Sequence, residues 1–180
     1  MKRRQLIQGA AALGVLGMVP AISGASPPSF RRFHEFDIGS GDLERLERSA
    51  REWRELLDED AWDVLFREKT EPSFSSPLED EYRDGTFVCA ACHLPLFSSA
   101  TKYDSRTGWP SFYAPFDGHI DTSIDFKLIW PRTEYHCKRC GGHQGHVFND
   151  GPEPTGQRWC NNGLALRFVH ADESLPALRG

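Results

Sequence analysis

Four of the five cysteines in this sequence form two matched pairs, and they are the residues most able to do chemistry. Cys89 and Cys92 enclose two alanines, and Cys137 and Cys140 enclose a Lys-Arg pair. Each C-x-x-C motif presents two thiolates on one side of a turn, so two motifs together supply the four sulfurs of a tetrahedral zinc site. The pattern predicts one structural Zn²⁺ that joins two distant parts of a single domain.

Two other interpretations of these pairs stay open. In an exported protein the pairs could be disulfides, although two matched motifs favour a metal. His93 directly follows Cys92 and completes the C-x-x-C-H motif to which c-type haem is attached. Haem would leave the second pair unexplained, and the chain beyond residue 25 has no methionine for the usual sixth ligand.

The fifth cysteine, Cys160, has polar neighbours. Arg158 lies two residues before it and Asn162 two residues after it, so the three side chains would share one face of a strand. A thiolate is nucleophilic, and a nearby guanidinium lowers the pKa of a thiol. The alternative is a buried, inert thiol. We expect Cys160 to be the nucleophile.

Two further segments carry groups that could assist a nucleophile. His143 and His146 follow the second C-x-x-C motif, and imidazoles exchange protons near neutral pH. With four thiolates available to a metal, acid-base service is the favoured interpretation of both histidines. Residues 108–112 form a Gly-Trp-Pro-Ser-Phe turn that presents Trp109, which alone would be attributed to aromatic core packing.

The scaffold predicted for these residues has helices first and strands afterwards. Apolar residues at intervals of three and four predict a helix that begins at Asp42, and a second short helix is predicted over residues 60–68. The apolar face of the first helix consists of Leu43, Leu46, Ala50, Trp53 and Leu57. Trp53, Trp62 and Phe66 are interpreted as core. Short apolar runs then predict a mostly antiparallel β body, with strands over residues 86–88, 124–130, 134–136 and 164–168.

Length and composition limit the domain organisation and the partners. A chain of 180 residues suits one domain, predicted over residues 42–169, after a linker at 26–41 and before a surface tail at 170–180. The 39% hydrophobic and 26% charged residues exclude a disordered or polytopic membrane protein. The formal net charge is −5, and no basic run occurs beyond the first four residues, so nucleic acid is not an expected partner.

The first 25 residues resemble an export signal. Lys2, Arg3 and Arg4 precede a moderately apolar stretch, and Ser-Gly-Ala at residues 23–25 offers a small-x-small cleavage site. The Arg-Arg pair suggests the twin-arginine route and a periplasmic or other extracytoplasmic location. An uncleaved anchor is the alternative, but the stretch is shorter than the ~20 residues that span a bilayer, so we expect no stable membrane insertion after cleavage.

Taken together, these motifs resemble the methionine-R-sulfoxide reductases, the MsrB family. The resemblance runs from about Trp53 to Phe168 and includes residues 70–71, 89–92, 96–99, 102–105, 108–112, 143–152 and 158–162. It implies strongly coiled antiparallel β-sheets with N-terminal helices and one structural zinc. It also implies reduction of the R epimer of methionine sulfoxide in oxidised proteins, with free methionine sulfoxide left open as a second substrate.

The resemblance implies a role for each residue of the reaction. Cys160 matches the nucleophile that attacks the sulfoxide sulfur and becomes a sulfenic acid. His143 and His146 match the groups that act on the departing oxygen, and Asp150 and Asn162 match residues that support their hydrogen bonds.

Three more positions match residues around the nucleophile and the substrate. Arg158 matches the residue that favours the thiolate. Trp109 matches the platform for the substrate's methyl group, and Phe112 is assigned to substrate binding beside it. Thr107 stands where many members have a resolving cysteine, and Gly163 stands where serine is more common.

The departure at residue 107 leads to a one-cysteine cycle. If the zinc holds four cysteines, Cys160 has no internal partner, so an external thiol from a thioredoxin-like protein or a small molecule is expected to reduce it. We expect a monomer. Two rival functions stay open: a non-catalytic zinc-binding recognition module on the same scaffold, and a cysteine hydrolase, for which no triad spacing is evident.

Overall fold

The computed structural model describes residues 43–127 and 130–180. The predicted signal at residues 1–25, the linker at 26–41 and the helix cap Asp42 lie outside the described residues. No helix in the described part of the chain is long and apolar enough to cross a membrane.

The first predicted helix is wrong in its extent. Helix α1 spans Ala50–Arg54 and begins at a capping box, in which Ser49 and Glu52 each accept a backbone N–H from the other. The backbone N–H of Leu46 instead donates to the carbonyl of Arg139 at 2.8 Å. That bond holds the segment before α1 against the second C-x-x-C turn. The backbone of this segment is therefore not part of the helix.

The second helix agrees with its prediction to within one residue at each end. Helix α2 spans Glu59–Arg67 and buries Ala61, Val64 and Leu65. It ends at Glu68, whose φ of 54° is left-handed and terminates the helical hydrogen bonds.

Nine strands follow within the described residues, and every pairing between them is antiparallel. They form a three-stranded sheet, in the order β2-β1-β9, and a six-stranded sheet, in the order β3-β4-β8-β7-β6-β5. The strands are β1 Gly85–Cys89, β2 Pro95–Ser98, β3 Lys102–Tyr103, β4 Ser111–Phe112, β5 Ile120–Asp125, β6 Arg132–Cys137, β7 His143–Phe148, β8 Arg158–Asn161 and β9 Leu166–His170. The predicted mostly antiparallel β fold is confirmed.

Two of the predicted strands are displaced. Of the described residues in the run at 124–130, Ile124 and Asp125 alone belong to β5, because the carboxylate of Asp125 accepts the backbone N–H of Lys127 at 2.8 Å and turns the chain. The run at residues 164–168 begins with a 3₁₀ turn, Gly163–Ala165, because the Glu71 carboxylate accepts the N–H groups of Gly163 and Leu164.

An aromatic core joins the two sheets. Phe97 of β2 stacks on Phe112 of β4 with ring centroids 4.2 Å apart, and Phe87 of β1 meets the same ring edge-on at 4.9 Å. Tyr135 and Trp159 pack edge to face at 5.0 Å within the larger sheet. The buried Trp53 and Trp62, and Phe66 packed against them, confirm the predicted core role of these three residues.

The C-terminal segment lies over the first C-x-x-C turn. Arg179 donates its backbone N–H to the carbonyl of Cys92 at 3.0 Å, and the carbonyl of Ala177 lies 3.0 Å from Nδ1 of His93. Leu178 packs against the core, and the guanidinium of Arg139 donates to the carbonyl of Arg179. The segment predicted to be a plain surface tail therefore contacts both cysteine turns.

Candidate active site

The four paired cysteines form one buried cluster. The Sγ atoms of Cys89 and Cys140 are 3.6 Å apart and those of Cys92 and Cys137 are 3.5 Å apart, far longer than the ~2.05 Å of a disulfide. Sulfurs bound to one zinc at about 2.3 Å lie roughly 3.8 Å from one another. The cluster therefore suits a metal ion, and the disulfide alternative does not describe it.

The surroundings of the sulfurs also fit a zinc site. The side-chain amide of Gln144 donates to Sγ of Cys89, and the backbone N–H of Gly142 donates to Sγ of Cys140. Such donors stabilise thiolates beside a cation. Both ring nitrogens of His93 have protein partners, Ala177 and Arg167, which argues against the haem alternative.

The cluster joins the two sheets beside the strand that carries the histidines. Cys89 ends β1 and Cys137 ends β6, while Cys92 and Cys140 lie in the turns that follow these strands. The second turn closes where Gly141, at a φ of 72°, donates its N–H to the carbonyl of Cys137 at 2.8 Å. Because β7 begins just after this turn, a metal held here would also fix the start of β7.

A row of polar residues crosses the larger sheet on the face away from the aromatic core. Cys160 of β8 lies directly opposite Ser111 of β4 on one side and His146 of β7 on the other. His146 in turn lies opposite Glu134 of β6. Residues directly opposite in antiparallel strands share a face with Cα atoms about 4.5–5.5 Å apart, so the sheet itself brings Cys160 and one histidine together.

Cys160 is the one partly exposed cysteine of the five. Burial raises the pKa of the Cys160 thiol, while the charge of Arg158 and hydrogen bonds from Thr107, Arg158 and Ser111 lower it. The effect of burial is the larger, so the pKa stays above its ordinary value. Arg158 acts in the predicted direction, but the free thiol needs a proton acceptor to become nucleophilic.

Asp150 positions Arg158. The carboxylate accepts two hydrogen bonds from the guanidinium, from Nε at 2.9 Å and from Nη2 at 2.8 Å. The same guanidinium lies over the ring of Phe148, 4.3 Å from its centroid. A bidentate ion pair of this kind fixes the guanidinium in one plane.

The two histidines have different partners. Nε2 of His146 lies 2.9 Å from the Asp125 carboxylate, which Arg132 also contacts at 2.7 Å. His143 is fully buried, with Nδ1 2.6 Å from Oε1 of Glu134, and burial lowers its pKa to about 3. Burial also lowers the pKa of His146, so both imidazoles are neutral at neutral pH.

The side chains of the remaining predicted site residues bond or pack outside the polar row. Asn162 is buried, and its amide accepts the N–H of Glu71 at 3.1 Å and donates to the carbonyl of Gln144 at 3.0 Å. Trp109 is partly exposed, and its indole donates to the carbonyl of Glu71 at 3.1 Å. Phe112 lies in the aromatic core, fully buried, on the opposite face of β4 from Ser111. The structure therefore brings Cys160, His143, His146, Arg158 and Asp150 to one face and places Phe112 on the other.

Sequence reasoning missed three acidic residues that hold the site. Asp125 orients His146, Glu134 contacts His143, and Glu71 holds Trp109, Asn162 and the turn after β8. Only 3 to 6% of the surface of each is exposed. For Asp125 and Glu134 the available signal was an acidic residue inside a strand-like run, which is costly to bury unless the group is paired, whereas Glu71 lies in a polar stretch before Pro72 that gives no such signal.

Comparisons with known proteins give one consistent result. The family described as "SelR domain" matches residues 57–170. The chain is 44% identical over 131 residues to the "Peptide methionine sulfoxide reductase MsrB" of Hahella chejuensis, covering 72% of this chain and 94% of that protein.

Two further proteins of the same description are equally similar. That of Leptospira interrogans is 47% identical over 124 residues, covering 68% of this chain and 95% of that protein. That of Methanosarcina mazei is 43% identical over 131 residues, covering 72% of this chain and 94% of that protein. The resemblance stated from the motifs is confirmed: the chain belongs to the SelR-domain family of MsrB peptide methionine sulfoxide reductases.

Proposed function

We propose that this protein reduces the R epimer of methionine sulfoxide in oxidised proteins, with Cys160 as the nucleophile. The observation that carries the assignment is the pairing of the one partly exposed cysteine with His146 across β7 and β8. In the reaction, the Cys160 sulfur attacks the sulfoxide sulfur, the S–O bond breaks and the oxygen passes to Cys160. The products are methionine and a Cys160 sulfenic acid, so the substrate is reduced by two electrons and the thiol is oxidised by two.

His146 supplies the proton transfer in this proposal. The low pKa of Asp125 keeps its carboxylate ionised, so Nε2 of His146 must donate the hydrogen that they share. Nδ1 is then free to accept the proton of the Cys160 thiol and to return it to the departing oxygen. A neutral imidazole can do this, whereas an imidazolium could not accept the proton.

Zinc has no part in these steps. Bound to Cys89, Cys92, Cys137 and Cys140, it would supply structural cross-linking and charge neutralisation for four buried thiolates. Arg158, held by Asp150, opposes the effect of burial on the Cys160 pKa, and Trp109 provides an apolar surface for the methyl group of the substrate.

The sulfenic acid is reduced by an external thiol in the proposed cycle. The other four cysteines are buried in one cluster, and the side chains that hydrogen-bond to the Cys160 sulfur, those of Thr107, Arg158 and Ser111, carry no thiol. A thioredoxin-like protein or a small thiol attacks Cys160, releases water and forms a mixed disulfide that a second thiol resolves. Dimedone labelling after one turnover without reductant should mark Cys160 in each chain, and a chain that forms a disulfide instead would contradict this cycle.

The reaction itself is tested with racemic methionine sulfoxide, both free and in a peptide. The zinc-loaded chain beginning at residue 26 is incubated with dithiothreitol, and the residual epimers are separated by chiral chromatography. We expect loss of the R epimer alone, and no loss with Cys160→Ser. If a folded, zinc-loaded sample consumes neither epimer, the chain acts as a zinc-stabilised recognition module instead.

We further propose that the protein is exported by the twin-arginine route and acts as a monomer. The support for export is that basic residues precede an apolar stretch within residues 1–25. Replacement of both Arg3 and Arg4 by lysine should retain the precursor in the cytoplasmic fraction, while the unchanged chain appears in the periplasm without residues 1–25. Light scattering of the exported form should give the mass of one chain.

A further inference from the structure

Three donor atoms converge beside the polar row, on the same face of β6 and β7. His136 lies directly opposite His143, and Glu134 lies two residues before His136 on the same side of β6. Oε1 of Glu134 is 2.6 Å from Nδ1 of His143 and 3.3 Å from Nε2 of His136. All three donor atoms lie within 4.8 Å of one another.

Two members of this group are buried without hydrogen-bond partners. Oε1 of Glu134 and both ring nitrogens of His143 have none among the described residues, and only 6% and 1% of these residues are exposed. Their approach at 2.6 Å lacks the alignment of a hydrogen bond. Buried polar atoms are nearly always paired, so a carboxylate oxygen and an imidazole nitrogen that face each other unpaired point to a missing shared partner.

A divalent metal ion is a partner that all three atoms can share. Ligands at about 2.1 Å from one ion lie roughly 3.0–3.4 Å apart. The 3.3 Å between Glu134 Oε1 and His136 Nε2 fits this spacing, and the 2.6 Å between Glu134 Oε1 and His143 Nδ1 would lengthen as an ion enters between them. Two imidazoles and a carboxylate suit borderline ions such as Zn²⁺, Cu²⁺ and Ni²⁺ rather than Ca²⁺ or Mg²⁺. We infer that Glu134, His136 and His143 form a second metal site for such an ion, separate from the four-cysteine cluster.

His136 is the entrance to this site. Its side chain is 19% exposed, whereas that of His143 is 1% exposed. An ion would meet His136 first and then the two buried ligands. A water molecule on the exposed side would complete its coordination.

Occupancy of this site would inhibit the reductase, a consequence that rests on the proposed function although the binding itself does not. The ring of His143 is 5.5 Å from that of His146, which faces Cys160 across the sheet. A cation coordinated by His143 would make this imidazole unavailable to the substrate oxygen. Its positive charge would also oppose protonation of His146. The site would thereby make activity respond to free metal.

The binding test is a calorimetric titration of Zn²⁺ into protein that already holds one zinc per chain. We expect a second equivalent to bind, and His136→Gln to weaken it at least tenfold while keeping the first zinc and an unchanged circular dichroism spectrum. The matched control is His170→Gln, because His170 lies on β9 next to Asp172 and not at this site. The His170→Gln variant should bind the second zinc as tightly as the unchanged chain does. Absence of a second equivalent, or equal affinity in His136→Gln, would overturn the inference.

A second control separates this site from the nucleophile. Cys160→Ser should retain the second equivalent, and its loss in that variant alone would assign the ion to Cys160 and overturn the inference. In the activity assay, micromolar Zn²⁺ should inhibit the unchanged chain more strongly than His136→Gln. Equal inhibition of both would overturn the regulatory consequence, while a chain that binds the second zinc but never reduces either epimer would contradict only the proposed function.

Discussion

Burial and a neighbouring charge have opposite effects on the pKa of the Cys160 thiol, and a substitution can separate the two effects. Burial raises its pKa, and Arg158 is the charged group that lowers it. An opposite charge within a few ångströms lowers a pKa by about 1–3 units, so Arg158→Gln should raise the Cys160 pKa by roughly one unit.

The measurement is the rate of Cys160 alkylation by iodoacetamide as a function of pH. Because the thiolate is the reactive form, the rate should fall about tenfold at neutral pH and its midpoint should move to higher pH. Arg106→Gln, at an exposed arginine on the turn before Trp109, is the control. An unchanged midpoint in Arg158→Gln would show that the guanidinium does not act on the sulfur.

Thr107 offers a second test at the scale of one residue. Its hydroxyl lies within hydrogen-bonding reach of the Cys160 sulfur, so Thr107→Cys should place a second sulfur where it can attack the sulfenic acid. We expect a disulfide with Cys160 after one turnover, seen as loss of dimedone labelling and of two free thiols. Ser105→Cys is the matched control, since Ser105 contacts the Thr107 hydroxyl at 2.8 Å rather than the sulfur. Persistent dimedone labelling in Thr107→Cys would contradict this geometry.

The sequence indicated the site residues that lie within a short motif. It missed those that reach the site only because distant strands pair. Arg158 and Cys160 are two residues apart on β8, so the two-residue period of a strand suffices to place them on one face. Asp125 reaches His146 only because β5, β6 and β7 lie side by side. The register of those strands is a property of the whole sheet, and no local pattern in the sequence specifies it.

At the scale of elements, the turn after β8 depends on a close contact with the segment before β1. A Cβ added at Gly163 would lie 1.9 Å from Oγ and 2.5 Å from Cβ of Ser76, while the Glu71 carboxylate accepts the N–H of Gly163. Ser76 therefore fills the space that a side chain at residue 163 would need, which accounts for the glycine at this position.

A double-mutant cycle tests this compensation. Gly163→Ser should destabilise the chain by about 1–3 kcal/mol through overpacking, and the addition of Ser76→Gly should restore much of that loss. Urea unfolding of the four chains gives the coupling free energy. Additive effects would mean that the two positions do not compete for space.

The elements differ in how well local sequence predicts them. Helix α2 is predicted correctly because the residues at its apolar period are the ones it buries. Strand β1 is predicted correctly because its whole apolar run is buried between β2 and β9. Helix α1 is shorter than its apolar period suggests, because Leu46 bonds to Arg139, which lies more than ninety residues later. Contacts at such a separation cannot be inferred from periodicity.

At the scale of the whole molecule, the four-cysteine cluster links the two sheets in addition to the aromatic core. Structural zinc in small domains has an apparent binding free energy of about 10–16 kcal/mol, so its loss should lower stability far more than any surface change. Cys92→Ser should lower the zinc content and the Tm together, while Cys160→Ser should retain both. Calorimetry and elemental analysis check this, and a Cys92→Ser chain with an unchanged Tm would show that the cluster is not structural.

The C-terminal segment has a consequence for how long the metal stays bound. Residues 177–180 contact both cysteine turns, the first through the carbonyl of Cys92 and the ring of His93 and the second through the side chain of Arg139. A chelator must reach the sulfurs past this segment. We expect a chain that ends at residue 176 to transfer its zinc to a colorimetric chelator several times faster than the full chain, with the initial rate of reduction unchanged. In that case residues 177–180 set the half-life of the holoprotein in a metal-poor environment.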